Sequence, residues 1–477
     1  MSELPKGWKL SPISELADVQ AGIGFPKRFQ GVTSAKYPVY KVGDLSRAYL
    51  NDKALVEKAE NYVSEEVAAE LKGKIFKEGA ILFAKIGEAL RLNRRVKVVR
   101  EGLADNNVMA VVPKDCVDNN YLFRFLQYYD IASLSRSTTV PSIRKGDVEN
   151  VPVPHPDLDE QKRIADKLDS VFAKVEAAQA RLDKIPTILK RFRQSVLAAA
   201  ISGELTKEWR ERQSNLISPL ALVEDKRNRL LADGTIKPSK QNSAEPIENE
   251  NTSVHYSWKY SRLISICSLI TDGKHGNCKD ESNSGYYFLS AKDIKGGELI
   301  YENSRQINKY EFQEVHNRTN LEPLDICIVN TGATVGKLAL APFSAKTQKT
   351  TFQKSVAVVK VIKPFIVPQY VAIVFEEANK RLLKSSTGTA VNNLLLSTMK
   401  QLIIPIPSTE EQLRIVSKVD ELSEQAKAVE KQYYDAKARL DKLTQSLLAK
   451  AFKGELLSSS VESEVTEIEN SVEAIHA

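Results

Sequence analysis

Glu160-Gln161-Lys162-Arg163-Ile164, Gln194-Ser195-Val196-Leu197 and Gly203-Glu204-Leu205 recur as Glu411-Gln412-Leu413-Arg414-Ile415, Gln445-Ser446-Leu447-Leu448 and Gly454-Glu455-Leu456, without a gap and at a constant offset of 251. Sixteen of the 46 positions from 160 to 205 are identical to their counterparts. Each copy follows a strand ending Pro-X-Pro, Val151-Pro152-Val153-Pro154 in one case and Ile404-Pro405-Ile406-Pro407 in the other, so the duplicated unit is larger than one helix. The chain is built as two similar halves, and its function lies in what a pseudo-symmetric pair can do that one half cannot.

Within each copy the apolar positions alternate three and four apart. Leu168, Val171, Val175, Ala178, Leu182, Ile185, Leu189, Phe192 and Val196 are matched by Val419, Leu422, Ala426, Val429, Tyr433, Ala436, Leu440, Leu443 and Leu447. This is a heptad seam, and two such stripes of equal length are most simply buried against each other as an antiparallel coiled coil. A unit of this length measures roughly 65 Å at 1.5 Å per residue. Pro186 has no counterpart, since Lys437 occupies the matching position, and it predicts a bend in the first helix only.

Outside the helices, β-branched and aromatic runs separated by Gly, Asn and Asp turns predict mixed α/β segments. The order recurs: Trp8 is answered by Trp258, Gly79-Ala80-Ile81-Leu82 by Leu324-Asp325-Ile326-Cys327, Val108-Met109-Ala110-Val111-Val112 by Ser355-Val356-Ala357-Val358-Val359, and Tyr121 by Tyr370. A helix is expected over Asn119 to Leu134, and a short one over Pro219 to Leu231. The fold class is α+β, with a pseudo-two-fold internal repeat. Its parts are residues 1–155, a first globular domain; 156–206, a central heptad helix; 207–256, a linker that turns Pro/Ser/Asn/Glu-rich after Lys237; 257–407, a second globular domain; 408–457, a C-terminal heptad helix; and 458–477, an acidic tail expected to be disordered.

Composition narrows the function class. With 42% apolar and 27% charged residues over 477 positions, the chain can form several ordinary cores. No apolar run approaches the roughly 20 residues of a membrane span, which points to a cytoplasmic protein with no membrane partner. The +7 net charge hides an asymmetry, because the tail holds Glu462, Glu464, Glu467, Glu469 and Glu473 without a lysine or arginine, and setting those five aside leaves +12 on the rest. A basic body suits phosphate binding through counterion release.

Catalytic signatures are missing. Gly332-Ala333-Thr334-Val335-Gly336-Lys337-Leu338 has too few residues between its glycines, and no Ser or Thr after its lysine, for a phosphate-cradling loop, so a turn between strands is expected. His275 and Cys278, even with His255 or Cys267, make a weak metal pattern, and no metal site is expected. There is no G-x-S-x-G, H-E-x-x-H, G-x-G-x-x-G or methyltransferase Asn/Asp-Pro-Pro-Tyr/Phe segment. Basic residues gather in loops instead: Lys27, Arg28, Arg91, Arg94, Arg95, Lys97, Arg100, Arg136, Arg144 and Lys145 in the first segment, and Lys274, Lys279, Lys337, Lys346, Lys349 and Lys384 in the second. Any one of these could be a solvated surface charge, but clusters in matched loops favour DNA. Arginine can read guanine edges, whereas lysine mainly grips phosphates.

Leu4-Pro5-Lys6-Gly7-Trp8, the Pro-X-Pro strand, Glu-Gln-x-x-Ile and a heptad helix ending Gln-Ser-x-Leu-x-x-Ala-x-x-Gly-Glu-Leu, all repeated once, resemble the specificity subunit of type I restriction-modification systems over residues 4–457. The resemblance implies two target-recognition domains that each read half of a bipartite asymmetric site in double-stranded DNA. It also implies an antiparallel coiled coil that sets their separation and docks two methyltransferase subunits, with restriction/translocase subunits joining the complex. S-adenosylmethionine, ATP and Mg then belong to partner chains, and this chain is non-catalytic with no cofactor of its own. The competing classes are a coiled-coil scaffold binding only proteins, which would show no sequence-selective DNA binding, and a standalone DNA-modifying enzyme, which would act without partners. Four heptads span about 42 Å, near the roughly 34 Å helical repeat of DNA. Inserting or deleting one heptad between Ala178 and Ile185 is expected to change the unread spacer and leave the half-site bases alone, as a methylation-site map of the variant would show.

Overall fold

Val108-Met109-Ala110-Val111 is apolar at every position because the strand Val108–Pro113 is covered on both faces. It is second in a five-stranded sheet ordered Ala17–Ala21, Val108–Pro113, Ile81–Ala84, Val96–Val98 and Leu55–Val56. All neighbours are antiparallel except the last pair. The later segment repeats the plan with Cys267–Asp272, Val356–Val361, Ile326–Val329 and Leu338–Leu340, antiparallel throughout. Smaller pairings are repeated too. Tyr37–Tyr40 runs parallel to Leu103–Ala104, and Tyr287–Leu289 runs parallel to Thr350–Phe352. The Pro-X-Pro strands Pro152–His155 and Ile403–Ile406 pair antiparallel with Lys9–Pro12 and Lys259–Arg262.

The structure, a computed structural model, describes residues 4–135, 137, 139–237, 257–385, 393–457 and 461–476. The Pro/Ser/Asn/Glu-rich stretch expected after Lys237 lies outside them. The chain divides into two units, Met1–Ile185 with Lys431–Ala477, and Pro186–Glu430. Each unit therefore combines one globular segment, part of the helix that follows it and part of the other long helix, a partition that cuts across the linear domains read from the sequence.

The first long helix begins at Leu158, where the Asp157 carboxylate accepts a hydrogen bond from the Glu160 N–H at 2.9 Å. It ends at Leu182, and the chain turns at Asp183-Lys184 before the helix Ile185–Ser202. The interruption expected at Pro186 thus sits just upstream of it. As the second residue of the new helix, Pro186 occupies a first-turn position whose N–H would have no helical partner anyway. Its counterpart Lys437 lies inside an unbroken helix, Thr409–Phe452.

The repeated motifs form a joint in each unit. Gln161 and Gln412 are buried at the helix starts; Gln161 accepts from the Asp118 N–H at 2.9 Å and donates to the Pro156 carbonyl at 3.0 Å, while Gln412 accepts from the Val367 N–H at 2.8 Å and donates to the Pro407 carbonyl at 3.2 Å. Tyr121 and Tyr370 donate to the Pro154 and Pro405 carbonyls at 2.6 and 2.7 Å, tying a helix of each globular segment to its Pro-X-Pro strand. Glu411 is fully buried and accepts from Trp258 Nε1 at 2.9 Å, Arg210 Nε at 2.8 Å and Thr206 Oγ1 at 2.7 Å. Glu160 has the corresponding bond from Trp8 Nε1 at 3.4 Å.

Gly203 and Gly454 close the joints with φ of +82° and +76°, where a side chain would be strained; an added Cβ would also lie 3.3 Å from Trp258 and from Trp8, respectively. In each unit, therefore, one helix starts where the other ends, and the pair runs antiparallel. Phe452, at the end of the second long helix, packs its ring on Tyr121, Phe125 and Tyr128 at centroid distances of 5.3, 5.4 and 5.3 Å. Of the seam, Leu168, Val171, Val175, Ala178, Leu182, Ile185, Leu189, Val196, Val419, Ala426, Tyr433, Ala436, Leu440, Leu443 and Leu447 are buried, Leu422 and Val429 are half-buried, and Phe192 is exposed.

Two expectations are corrected. The helix read as Asn119 to Leu134 ends at Tyr128, and Ile131–Leu134 is a separate turn begun by Asp130, whose carboxylate accepts from the Ala132 N–H. The tail read as disordered contains a helix, Val461–His476, lying along the first long helix with Val465, Val472 and Ile475 buried. Its few apolar groups were enough because they share one helical face and dock on an existing helix pair. The linker helix Leu220–Ala232 is also docked: Val223 is buried, and the buried Arg227 donates to the Ile264 and Cys267 carbonyls at 2.8 Å each.

Replacing Arg210 with Ala strands the Glu411 carboxylate without its ionic partner and is expected to cost about 3–5 kcal/mol. A thermal melt should show the loss, and adding Glu411→Gln to the same variant should recover much of it.

Candidate nucleic-acid interface

Backbone hydrogen bonds bring two of the basic loops of the first segment together. Gly87 N–H donates to the Pro141 carbonyl at 2.8 Å and Ile143 N–H to the Lys85 carbonyl at 3.0 Å, so the loop carrying Arg91 and Arg94 is laced to the one carrying Arg144 and Lys145. The second segment repeats the device: Leu394 N–H donates to the Asn330 carbonyl at 2.7 Å, and Thr331 is bridged to Asn393. That lacing joins the turn bearing Lys337 to the chain following the helix Pro368–Ser385. Lys384 lies near the end of this helix, but its side chain, like the whole of Arg136, lies outside the described residues. Gly332–Leu338 is the expected turn between two strands. An added Cβ at Gly336, where φ is +87°, would be strained and would fall 1.2 Å from Asn379 Nδ2, forcing that side chain aside.

The candidate cations differ in availability. Arg28 is exposed but paired with Glu70 at 2.7 Å, Arg91 with Glu88 at 2.8 Å, Lys145 with Glu149 at 3.4 Å and Lys274 with Glu314 at 3.2 Å. The Glu314 hydrogen bond holds the Lys274 ammonium above its ordinary pKa. Arg94 lies over the Tyr49 ring at 5.7 Å. Lys279 is exposed. Lys27, Arg144, Lys337, Lys346 and Lys349 are exposed and make no ion pair among the described residues. Lys346 rests on Tyr287 and Tyr301, 5.7 and 5.2 Å from their centroids.

Three residues read as loop cations serve the fold instead. Arg95 is buried beneath the sheet against the Phe83 ring at 4.7 Å, donates to the Arg94 carbonyl at 3.0 Å, and leaves Nε without a partner. Burial pushes its guanidinium down to about 9, and the side chain is 1% exposed, away from any ligand at the surface. Lys97 donates to Asn120 and sits over Phe123, with burial lowering its pKa. Arg100 donates to the Ala35 and Lys36 carbonyls at 2.9 and 2.8 Å.

The exposed aromatics escaped the sequence reading. Phe343 is 80% exposed in the turn just before Lys346, and Tyr310 is 89% exposed at the start of the helix Lys309–Thr319. Ala341-Pro342-Phe343-Ser344 places a phenylalanine inside turn residues, and that was the available signal. His275 is exposed and bonded to Asp272 at 3.0 Å, Cys278 is buried, and no cluster of three potential metal ligands occurs among the described residues.

Residues 5–187 and 256–435 each match the profile of the type I restriction modification DNA specificity domain. The chain belongs to the DNA specificity subunits of type I restriction-modification systems. It is 30% identical over 351 residues to the EcoBI specificity subunit of Escherichia coli, covering 72% of this chain and 67% of that one. It is 26% identical over 468 residues to the StySPI specificity subunit of Salmonella potsdam, covering 95% and 90%. The solved HsdS subunit from Thermoanaerobacter tengcongensis shares the fold, with a TM-score of 0.59 and 17% identity over 95% of this chain and 98% of that one. Within this family the internal repeat is the duplicated specificity domain. No described helix is long and apolar enough to cross a membrane.

Changing Lys27 or Arg144 to Gln is expected to weaken DNA binding evenly across sequences and to lower the slope of log affinity against log salt by about one each. Arg95→Met should leave that slope unchanged, as fluorescence titrations over a salt series would check.

Proposed function

We propose that each globular segment reads one half of a bipartite asymmetric site in double-stranded DNA, and that the antiparallel helices set the unread spacer and dock two methyltransferase subunits. The observation that carries this reading is a single sheet and joint built twice, with loops of different sequence laced at the same places. Equal scaffolds suit equal docking on the duplex, and unequal loops suit two different half-sites. Lys27, Arg144, Lys337, Lys346 and Lys349 are the phosphate-gripping candidates, and Arg91 and Arg94 the base-reading ones.

The chain itself takes no part in bond breaking. In this reading S-adenosylmethionine serves the methyltransferase subunits, and ATP and Mg serve restriction/translocase subunits that join the same complex in the cytoplasm. The absence of a methyl-transfer or nucleotide-binding motif in the sequence supports that division.

Mapping methylated adenines genome-wide, in cells carrying this chain with its methyltransferase partner, should return one split motif with two short specified halves. Exchanging residues 1–155 for the same segment of a relative should change one half only. A continuous motif, or a change in both halves, would overturn the proposal.

A further inference from the structure

Tyr310 is 89% exposed, the highest value for a large apolar or aromatic side chain among the described residues. Exposure alone means little, because single apolar groups are common at protein surfaces. What singles this ring out is how firmly it is held and where. It stands in the first turn of the helix Lys309–Thr319, whose Phe312, Val315 and Thr319 are buried. Asn308 caps that helix by accepting from the Glu311 N–H at 3.0 Å, and Phe312 packs on the Tyr286 ring at a centroid distance of 4.7 Å. Two further links fasten the helix to the loop after Cys267–Asp272: Glu311 accepts from the Lys279 N–H, and Glu314 pairs with Lys274 at 3.2 Å.

The placement follows from strand direction. Cys267–Asp272 and Ile326–Val329 both run antiparallel to Val356–Val361, and their last residues, Asp272 and Val329, lie opposite Ala357 and Val356. The loop bearing Lys274 and Lys279 and the turn bearing Lys337 therefore leave the same end of the sheet, where Asn330 and Thr331 are laced to Leu394 and Asn393. The links from Glu311 and Glu314 put Tyr310 at this end too. Its charged surroundings suit a polyanion. Lys309 beside it is exposed and makes no ion pair among the described residues. The carboxylates of Glu311, Glu314, Asp272 and Asp280 are engaged by the Lys279 N–H, Lys274, Arg318 and Arg305, which leaves Glu281 as the exposed acid of that loop outside these bonds.

The first segment differs at this place. Its helix Glu65–Glu70 is capped in the same way, by Ser64 accepting from the Val67 N–H at 3.4 Å, and is tied to the loop after Ala17–Ala21 by the matching ion pair of Arg28 with Glu70. Counted from the cap, Glu65 and Glu66 stand where Lys309 and Tyr310 stand in the second segment. Two carboxylates repel a duplex, whereas a lysine draws it in and an aromatic ring adds apolar contact, so this helix start suits DNA in the second segment only.

We infer that Tyr310 is a specificity-determining residue of the second half-site, its ring resting on the C5-methyl group of a thymine. This rests on the reading that each globular segment reads one half-site, and it names a base contact within that reading. The ring offers apolar surface, and the thymine methyl is the apolar group that a base pair presents in the major groove. Lys309 grips phosphate beside it, and the fixed helix sets which base pair the ring meets.

The test uses the chain assembled with its methyltransferase partner and duplexes carrying the mapped site. Each thymine in the half that exchange of residues 1–155 leaves unchanged is replaced singly by uracil, which lacks only the methyl group. One of these replacements should weaken binding about fourfold, as expected for one buried methyl-sized group. Tyr310→Ala should bind that pair of duplexes equally, and Tyr310→Phe should keep the difference; neither change disturbs packing, because the side chain is exposed. The assignment is overturned if no uracil replacement in that half weakens binding, if Tyr310→Ala still discriminates, or if Tyr310→Phe loses the discrimination, and in each case the half-site reading stands. A methylation map without a split motif would instead remove the half-site reading itself.

Discussion

Everything in this fold hangs on the buried joint at which one long helix starts and the other ends. Glu411 is held there by three donors, Trp258, Arg210 and Thr206, and Gln412 next to it ties the helix to the globular segment. A carboxylate removed from water demands nearly complete hydrogen bonding, which makes such a joint intolerant of loosened geometry. The first unit keeps the Trp8–Glu160 bond and adds the Phe452 ring on Tyr121, Phe125 and Tyr128. One end is thus locked mainly by charge and hydrogen bonds, the other mainly by apolar packing, and both give the same antiparallel pairing.

A rigid joint is what a spacer function requires. If each reading surface could swing on its helix, the heptad length would not define a distance, and a bipartite site would lose its register on the duplex. The loops face the opposite demand, since they must vary without disturbing the sheet. Lacing the Lys85–Gly87 loop to Pro141–Ile143, and Asn330-Thr331 to Asn393-Leu394, reconciles the two by fixing loop ends through backbone atoms, so that side chains can change freely.

The repeat, the heptad seam and the strands at Val108 and Val356 were legible in the sequence because each rests on a periodicity that local geometry imposes. The joint was visible only as motif. Glu-Gln, Pro-X-Pro, Gly-Glu-Leu and the paired tryptophans stood out as repeated letters, but nothing local says that Trp258 donates to Glu411 or that Gly454 lies against Trp8. The basic loops were legible as composition and not as availability. Arg94 and Arg95 look alike in sequence, yet one lies over Tyr49 and the other is sealed against Phe83. The acidic tail was misjudged for a related reason: its burial depends on a groove made by residues far away in the chain.

The amino-acid sequence alone determined that this protein is a duplicated α+β scaffold with two heptad helices, and it carried enough motif to identify the family. Tertiary structure alone decided which half of each helix belongs to which unit, which cations remain at the surface, and that the tail helix docks along the first long helix. The division has a physical cause. Periodicity and turn chemistry act over a few residues and are written locally, whereas burial, ion pairing and groove occupancy depend on partners hundreds of positions apart that only folding brings into contact.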